Sequence, residues 1–234
     1  LYNRHYVCEL LHNLGFSFQK AKFVSDHLDE ASRRKWQEEV WPAILRLARE
    51  KDAMILFEDE VSFAQWGSLG FTWAPVGKQP VVKTTGKRKG YKVFGAIDFF
   101  SGRFFYQGLA ERFNSERYQD FLRQILSQTS KHLILIQDGA KYHTSRATRA
   151  FFEMLKNRVS VFQLPSYSPD YNPIEFLWKK MKQRATHNQY FPLFEALVSS
   201  VENALAYFAR QIEQIKSLMG LYVRSPVAVL PAAA

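Results

Sequence analysis

Cysteine is almost absent from this chain of 234 residues, in which Cys8 is the only one. A single cysteine cannot form an internal disulfide, and a zinc site built on cysteine ligands is excluded. No apolar run approaches the roughly 20 residues that a membrane-spanning helix needs. The first residues carry neither a long apolar core nor a small-residue cleavage site, so no secretory signal is indicated. A reducing, cytosolic setting fits these absences.

Acidic residues are also scarce relative to basic ones, with 22 Asp and Glu against 32 Lys and Arg, a formal charge of +10. Such an excess favours a polyanionic partner, with nucleic acid first and an anionic membrane surface second. Hydrophobic residues make up 47% of the chain, enough for a sizeable core. The chain begins with Leu1 rather than Met, as a fragment or an engineered chain would.

Three regions follow from the patterning. Residues 1–51 predict a helical N-terminal segment: a short helix within 1–15, an extended stretch over 16–24, and a long helix to about residue 51 that Pro42 kinks or splits. Residues 52–215 alternate short apolar strands with amphipathic helices, the last of them over 192–215. This order predicts an α/β fold, a mixed sheet flanked by helices. Residues 216–234 are predicted to be a C-terminal tail.

Smaller features of the middle region are also predicted. The segments FTWAPVG and VVKTTG have the composition of short strands around turns. Ser101 and Gly102 separate two apolar runs and indicate a hairpin, in which Asp98 would be a turn residue. Trp73 could stack on a base or fill the edge of the sheet, and core packing is the better interpretation.

Three acidic residues stand at the ends of predicted elements. Asp59 and Asp138 follow the apolar runs AMILF and HLILIQ, where strand ends line the ligand crevice of such sheets. Glu175 falls in the first turn of an amphipathic helix, after Asn172 as N-cap and Pro173 as first helical residue. The segment that contains it reads LPSYSPDYNPIEFLWKKMK, with apolar residues at i, i+3, i+4 and i+7.

Each acid has a structural alternative. Glu175 has the spacing of a capping box with Asn172 and of an i,i+4 pair with Lys179. Asp138 precedes Gly139 and could be a turn residue. Asp59 has Glu58 and Glu60 as neighbours, which should point to the opposite face of an alternating strand. Glu60 could then support a metal ligand without binding the ion itself.

Three carboxylates that converge in a cleft repel one another unless a cation is bound. Mg²⁺ takes a few carboxylates together with waters and phosphate oxygens. Two such ions about 3.5–4 Å apart can activate a water or a 3′-hydroxyl and stabilise the leaving oxygen of a phosphodiester. A basic chain with such an acidic cleft is therefore consistent with chemistry on DNA.

The segments FEDEVSF, GFTWAPVGKQP, LIQDGAKYHTS and LPSYSPDYNPIEFLWKKMK resemble the catalytic core of mariner-superfamily DDE transposases, closest to the bacterial insertion-sequence branch. The resemblance covers roughly residues 52–205. It implies an RNase H-like fold, with Asp59, Asp138 and Glu175 as catalytic residues and as ligands of Mg²⁺ or Mn²⁺, two ions being expected. Residues 1–15 resemble the last helix of a helix-turn-helix.

The resemblance implies a DNA transposase that cleaves transposon ends and transfers strands into target DNA, by cut-and-paste at TA. It also implies double-stranded DNA and a second copy of the chain as partners, no membrane, and a cytoplasmic, nucleoid-associated location. Two alternatives stay open. One is a catalytically silent or repurposed DNA-binding remnant, and the other is a structure-selective nuclease on the same fold.

Basic residues near the site are candidate DNA contacts. His143 could touch the scissile phosphate or a water, or it could cap a helix or face solvent. The loop cluster and the polar side of the Glu175 helix could follow the DNA backbone or could simply be solvated. These candidates are Lys87, Arg88 and Lys89 in the loop and Lys179, Lys180 and Lys182 on the helix.

Overall fold

The computed structural model describes residues 3–17 and 28–223, apart from the side chain of Arg4. Most of the extended segment predicted over residues 16–24 therefore lies outside the described residues. The same holds for residues 224–234 of the predicted tail.

Five strands form one mixed sheet in the order β3-β2-β1-β4-β5. Strands β1, β2 and β3 pair antiparallel, whereas β4 runs parallel to β1 and β5 parallel to β4. This confirms the predicted mixed sheet. The strands are β1 (Met54–Ala64), β2 (Gly90–Asp98), β3 (Phe104–Leu109), β4 (Leu133–Gln137) and β5 (Val159–Gln163).

Helices cover both faces of the sheet, because alternate residues of its strands are apolar on both sides. Phe57 of β1 belongs to the larger core cluster, together with residues of α3, α6, α7, α8 and α9, and Leu56 belongs to the smaller one under α4 and α5. The helices are α1 (Arg4–Asn13), α2 (Glu30–Lys35), α3 (Trp41–Glu50), α4 (Ser115–Leu126), α5 (Arg146–Met154), α6 (Pro173–Ala185), α7 (Phe194–Ala209), α8 (Ile212–Ser217) and α9 (Gly220–Val223).

The helical segment before the sheet is continuous from Glu30 to Glu50, so the predicted split at Pro42 is wrong. A π-helical stretch, Trp36–Val40, precedes Pro42, which occupies the first turn of α3. Because the preceding turn is also helical, Pro42 is an interior proline that cannot donate to a carbonyl of that turn, and the helix accommodates it with the π-helical stretch rather than with a break. The irregularity therefore lies before the proline rather than at it.

The connection between β1 and β2 contains no strand, which corrects the prediction for FTWAPVG and VVKTTG. Strands β1 and β2 pair with each other from Ala64↔Gly90, and the loop that joins them pairs with none of the described strands of the sheet. The hairpin prediction is confirmed: Ser101 N–H donates to Asp98 Oδ2 at 2.8 Å, and Gly102 has a φ of +69°.

The core extends past both predicted region boundaries. Trp41 and Ile44 of α3 pack in the larger cluster before residue 52. Met219 and Tyr222, which were predicted to lie in a tail, are buried in the same cluster. The helix predicted over 192–215 is two helices, α7 and α8, which are separated at Arg210.

The short helix α1 confirms the predicted N-terminal helix, but its apolar side chains, such as Leu10 and Leu11, are exposed. None of the helices within residues 3–17 and 28–223 is long and apolar enough to span a membrane.

Candidate active site

The pairing of the parallel strands brings the first two acids together. Strand β1 pairs with β4 from Met54↔Leu133 to Phe57↔Ile136. If this register is extended by two residues, Asp59 lies beside Asp138, just past the carboxyl end of β4. Glu175 comes from the first turn of α6, and all three residues line one cleft of about 430 Å³. The structure thus brings the predicted triad to one edge of the sheet.

Asp59 is half-buried against α6, where Trp178 Nε1 donates to its Oδ2 at 3.0 Å. Burial, followed by the charges of Glu175 and Glu60, raises the pKa of Asp59 to about 8. The sequence does not predict the hydrogen bond with Trp178, because Trp178 is one of the apolar residues at helical spacing in this segment, a pattern that indicates core packing. The signal was available: a buried indole N–H needs an acceptor, and Trp178 follows Glu175 by three residues on the same helix.

Asp138 is held by two donors on one oxygen. Ala140 N–H donates to Oδ1 at 2.8 Å, and His143 Nδ1 donates to the same atom at 3.1 Å. The hydrogen bond from His143 lowers the pKa of Asp138 against the opposing effect of burial. Asp138 is therefore ionised, and its Oδ2 is left for the cleft.

The side chain of Glu175 lines the cleft. Desolvation by the surrounding protein raises the pKa of Glu175, although the charge of Lys182 opposes this shift. No ion pair joins it to Lys179 within the described residues. The predicted capping box is not formed either: Asn172 occupies the N-cap position, but its side chain caps nothing. Its Nδ2 instead donates to the carbonyl of Glu58 at 3.0 Å.

That contact is explained by where β4 ends. The pairing of β1 with β4 stops at Phe57, so the β1 backbone loses its neighbouring strand at Glu58. A buried carbonyl needs a donor, and the amide of Asn172 supplies one. Asn172 thus ties the start of α6 to the strand that carries Asp59, which aligns two of the three acids.

The loop between β5 and α6 is anchored from α2. Arg33 donates to both carboxylate oxygens of Asp170, at 3.0 and 2.8 Å, and its guanidinium lies 4.3 Å from the ring centroid of Tyr171. From the other side, Tyr222 Oη donates to the carbonyl of Tyr171 at 2.6 Å. Tyr167 adopts a left-handed φ of +55° within this loop. The loop that delivers Glu175 is therefore fixed by contacts distant in sequence.

A second acidic group lies on the opposite face of β1, as the strand alternation predicted. Glu58 and His143 are fully buried there, and His143 Nε2 donates to Glu60 Oε1 at 2.8 Å. Burial opposes the charged imidazole, but the carboxylates of Glu58, Asp138 and Glu60 raise the pKa of His143 to about 11. Burial of this ring leaves it no atom to offer to DNA, which replaces its predicted DNA contact with an internal role.

The donor set of the cleft fits a hard divalent cation. It offers carboxylate oxygens and the buried Asn172 Oδ1, which has no hydrogen-bond partner among the described residues. Burial, followed by the charges of Glu175 and Glu60, raises the pKa of Asp59, and a bound cation would favour the ionised carboxylate. A compact group of possible ligands lies outside the cleft, on the other face of β1. Its ligand atoms, from Glu58, Glu60 and His143, all lie within 4.8 Å of one another, and it is the one such group in the described part of the chain. The wider triad fits two ions that share ligands better than it fits one ion.

Comparison with known proteins agrees with this geometry. The sequence profile of the DDE superfamily endonuclease matches residues 54–198, more than half of the chain. The chain belongs to this family. The DDE endonuclease chain is 31% identical over 157 residues to the Tc1 transposase of Caenorhabditis elegans, which covers 61% of this chain and 55% of that protein. It is 30% identical over 137 residues to the 39 kDa protein of insertion element IS630 of Shigella sonnei, covering 57% and 39% respectively.

Solved structures show the same fold. A pre-cleavage Mos1 transpososome matches with a TM-score of 0.65 and 21% identity, covering 97% of this chain and 72% of that one. The catalytic domain of Mos1 mariner transposase matches with a TM-score of 0.52 and 20% identity, covering 89% and 100%. The predicted RNase H-like fold is thereby confirmed. The DDE endonuclease chain spans about half the length of the curated relatives Tc1 and Tc3 transposase.

The basic candidates of the DDE endonuclease chain lie at two places. Lys87, Arg88 and Lys89 are exposed at the end of the β1–β2 loop, where Lys89 Nζ also lies 3.8 Å from the ring centroid of Phe194. On α6, Lys179 is exposed, and Lys180 and Lys182 are half-buried. Lys182 acts electrostatically on Glu175, which places it near the cleft.

The β1–β2 loop itself is the most exposed apolar segment of the DDE endonuclease chain that the structure describes. Trp73 is 100% exposed, which corrects its predicted core packing, and Phe71 and Val76 are equally exposed. The loop is attached near its start, where Asn188 exchanges hydrogen bonds with Gly70 at 3.0 and 3.1 Å. Long loops without secondary structure are commonly functional, and large exposed apolar patches mark interaction sites.

Proposed function

We propose that this chain is the catalytic part of a DNA transposase, which cleaves the strands at transposon ends and joins the freed ends to target DNA. The observation that carries the proposal is the convergence of Asp59, Asp138 and Glu175 in one cleft of a DDE endonuclease fold. Curated relatives named as transposases support it. Cut-and-paste movement with insertion at TA is part of the proposal.

The three acids would hold Mg²⁺ or Mn²⁺, and two ions are proposed. Bound there, the ions supply a nucleophilic water at neutral pH and stabilise the charge that develops on a phosphodiester. Related Mos1 paired-end complexes have been solved with Mn and with Mg. The protein contributes alignment: Trp178 orients Asp59, the His143 and Ala140 donors orient Asp138, and Asn172 fixes the start of the helix that carries Glu175.

Strand cleavage should depend on the acidic residues of the cleft. We expect Asp138→Ala and Glu175→Gln each to lower strand cleavage at least about a hundredfold, because each removes one metal ligand. The measurement is cleavage, by the intact protein with Mg²⁺ or Mn²⁺, of DNA carrying the element's ends. Asp120→Asn, a surface acid on α4, is the matched control and should cleave normally.

Unchanged cleavage in either variant would contradict the proposal. Metal binding without cleavage of any DNA would indicate a silent or repurposed DNA-binding protein. Cleavage without joined products would indicate a structure-selective nuclease, so the assay should score joined products as well as cuts.

Double-stranded DNA is the proposed partner, and the cations of the β1–β2 loop and of α6 are proposed to contact its backbone. We expect the double substitution Lys87→Ala and Arg88→Ala to reduce the slope of log binding constant against log salt by about 2, one unit for each phosphate contact. Binding measured across a salt series tests this. Lys131→Ala is the control, since Lys131 pairs with Asp52 before β4, away from the cleft. An unchanged slope would remove both residues from the interface.

A homodimer on DNA is also proposed, and the exposed β1–β2 loop supports it. Phe71 and Trp73 expose their whole side chains, a cost that a partner surface would remove. We expect Phe71→Ala with Trp73→Ala to leave complexes of one chain with a single DNA end, in place of two chains with two ends, as measured by light scattering on protein–DNA complexes. Met154→Ala, which alters an exposed residue of α5, should preserve the paired complex. Paired complexes in the loop variant would refute a role for the loop.

The location follows from the partner. A basic chain that acts on DNA is proposed to work in the cytoplasm on the nucleoid.

A further inference from the structure

His143 is immobilised on every side. Its ring is fully buried, with Tyr118 and Tyr142 at ring-centroid distances of 4.5 and 4.7 Å. Both ring nitrogens make contacts: Nδ1 donates to Asp138 Oδ1 at 3.1 Å and Nε2 donates to Glu60 Oε1 at 2.8 Å. A ring held in this way has one available orientation.

Asp138, in contrast, is fixed through only one of its two carboxylate oxygens. It follows β4, its side chain is 55% exposed, and it precedes Gly139. Its Oδ1 takes both donors, the N–H of Ala140 and Nδ1 of His143. Without the His143 donor, one backbone hydrogen bond would remain to fix an exposed carboxylate whose χ2 torsion is broad.

Glu60 connects this arrangement to the strand that carries Asp59. Adjacent residues of β1 point to opposite faces, so Asp59 faces the cleft while Glu60 faces His143. A shift of β1 would therefore move Asp59 and the support of Asp138 together. Glu58 adds a third carboxylate, 3.4 Å from His143 Nε2.

We propose that Glu60 and His143 form a positioning pair that locks the Asp138 carboxylate in one orientation, with Oδ1 held and Oδ2 presented to the cleft. The pair acts through Asp138 and touches neither metal nor DNA. This inference rests on the proposed function, since it assigns Asp138 as a metal ligand. Partners of this kind behind a ligand typically change metal affinity 10–100-fold when removed.

Two substitutions of His143 separate the positioning role from simple loss of the ring. An Asn side chain places its amide nitrogen near the position of Nδ1, whereas Gln places it near Nε2. We expect Mn²⁺ affinity, measured by calorimetry on the full chain, to fall 10–100-fold in His143→Gln and less than about threefold in His143→Asn. Likewise, Glu60→Gln keeps an acceptor for Nε2 and should bind Mn²⁺ more tightly than Glu60→Leu.

A matched control accounts for lost stability. His132 is also buried, and it directly precedes β4, at the end of the strand away from the cleft. Its Nε2 lies 2.9 Å from Ser160 Oγ and its Nδ1 lies 3.3 Å from the carbonyl of Asn157. We expect His132→Gln to lower the melting temperature without changing Mn²⁺ affinity. Equal loss of affinity in His132→Gln and His143→Gln would overturn the positioning role, as would wild-type affinity in His143→Gln.

A second readout needs no metal. Crystal structures of the metal-free variants should retain one Asp138 rotamer in His143→Asn and show several, or a different one, in His143→Gln. An unchanged rotamer in both would overturn the inference. If the wild-type protein binds no Mn²⁺, the proposed function fails while the rotamers still decide the positioning role. A further outcome would also overturn the inference. If the double variant Asp59→Asn, Asp138→Asn still binds Mn²⁺ and the variant Glu58→Gln does not, the buried group itself binds the metal.

Discussion

Replacement of Asp59 by Asn should stabilise the metal-free protein at pH 8 and abolish DNA cleavage. Burial and the neighbouring charges of Glu175 and Glu60 raise the pKa of Asp59 from 3.8 to about 8. Between these two pH values the unfolded chain ionises Asp59 while the folded chain keeps it protonated, so folding loses stability as pH rises through this window. Asn carries no charge and escapes that loss.

The expected gain in free energy of unfolding at pH 8 is about 1–3 kcal/mol, a size limited by the partial exposure of Asp59. Near pH 4 the gain should be close to zero, because the folded and unfolded chains then differ little in the ionisation of Asp59. Urea unfolding of both proteins at the two pH values, without metal, measures it. Asn can still accept the hydrogen bond from Trp178, so the packing around α6 is retained. A gain of equal size at pH 4 would show that charge is not its cause.

Metal should reverse the order of stability. A cation that binds the folded state raises its stability in proportion to the logarithm of its concentration over the dissociation constant. We expect Mn²⁺ to raise the melting temperature of the wild-type protein and to leave the Asp59→Asn variant nearly unchanged. Equal shifts in both proteins would place the ion elsewhere.

Replacement of Gly95 by Ala should disrupt the packing of the sheet against α6. Gly95 lies opposite Asp59 in the β1–β2 register, and a Cβ there would come within 2.4 Å of Trp178 Cη2 and 3.1 Å of Ile174 Cδ1. Both side chains are buried in the core, so the clash can be relieved only by moving α6. We expect a loss of about 1–3 kcal/mol in stability, together with reduced cleavage, since Trp178 orients Asp59.

Two further variants test that explanation. Gly220→Ala is the control, because no atom lies within 4 Å of the added methyl group there. Trp178→Phe in the Gly95→Ala background provides room for the methyl group and should restore part of the stability. Cleavage should stay low in that double variant, because Phe has no donor for Asp59. Full stability in Gly95→Ala alone would contradict the described packing.

The ordered motifs were sufficient to predict the sheet and the three acids of the cleft. Strand ends and a helix start are local signals, and the parallel pairing of β1 with β4 then brings Asp59 beside Asp138. The supporting contacts could not be predicted in this way. Trp178 with Asp59, and Asn172 with Glu58, join residues more than a hundred positions apart, and both side chains had satisfactory local interpretations as core residue and cap.

The errors have a common physical origin. Trp73 and the segments around it have strand-like composition, but composition does not reveal whether a pairing partner is available, and this loop pairs with none of the described strands. The sequence leaves His143 as a DNA contact, a helix cap or a solvent-facing residue, because no local pattern reveals that Glu60, 83 positions earlier, lies against it. Local sequence patterns therefore predict most of the helices and strands, but they do not predict which distant residues contact them.

The anchoring of Tyr171 from α9 bears on how the protein is made. Tyr222 Oη holds the carbonyl of Tyr171, two residues before the helix that carries Glu175. During synthesis the strands and both aspartates leave the ribosome well before Tyr222 does. The cleft thus gains its last anchor only when nearly the whole described chain has emerged, and a nascent polypeptide stalled before α9 would keep only the contacts from Arg33 and Asn172 around the start of this helix.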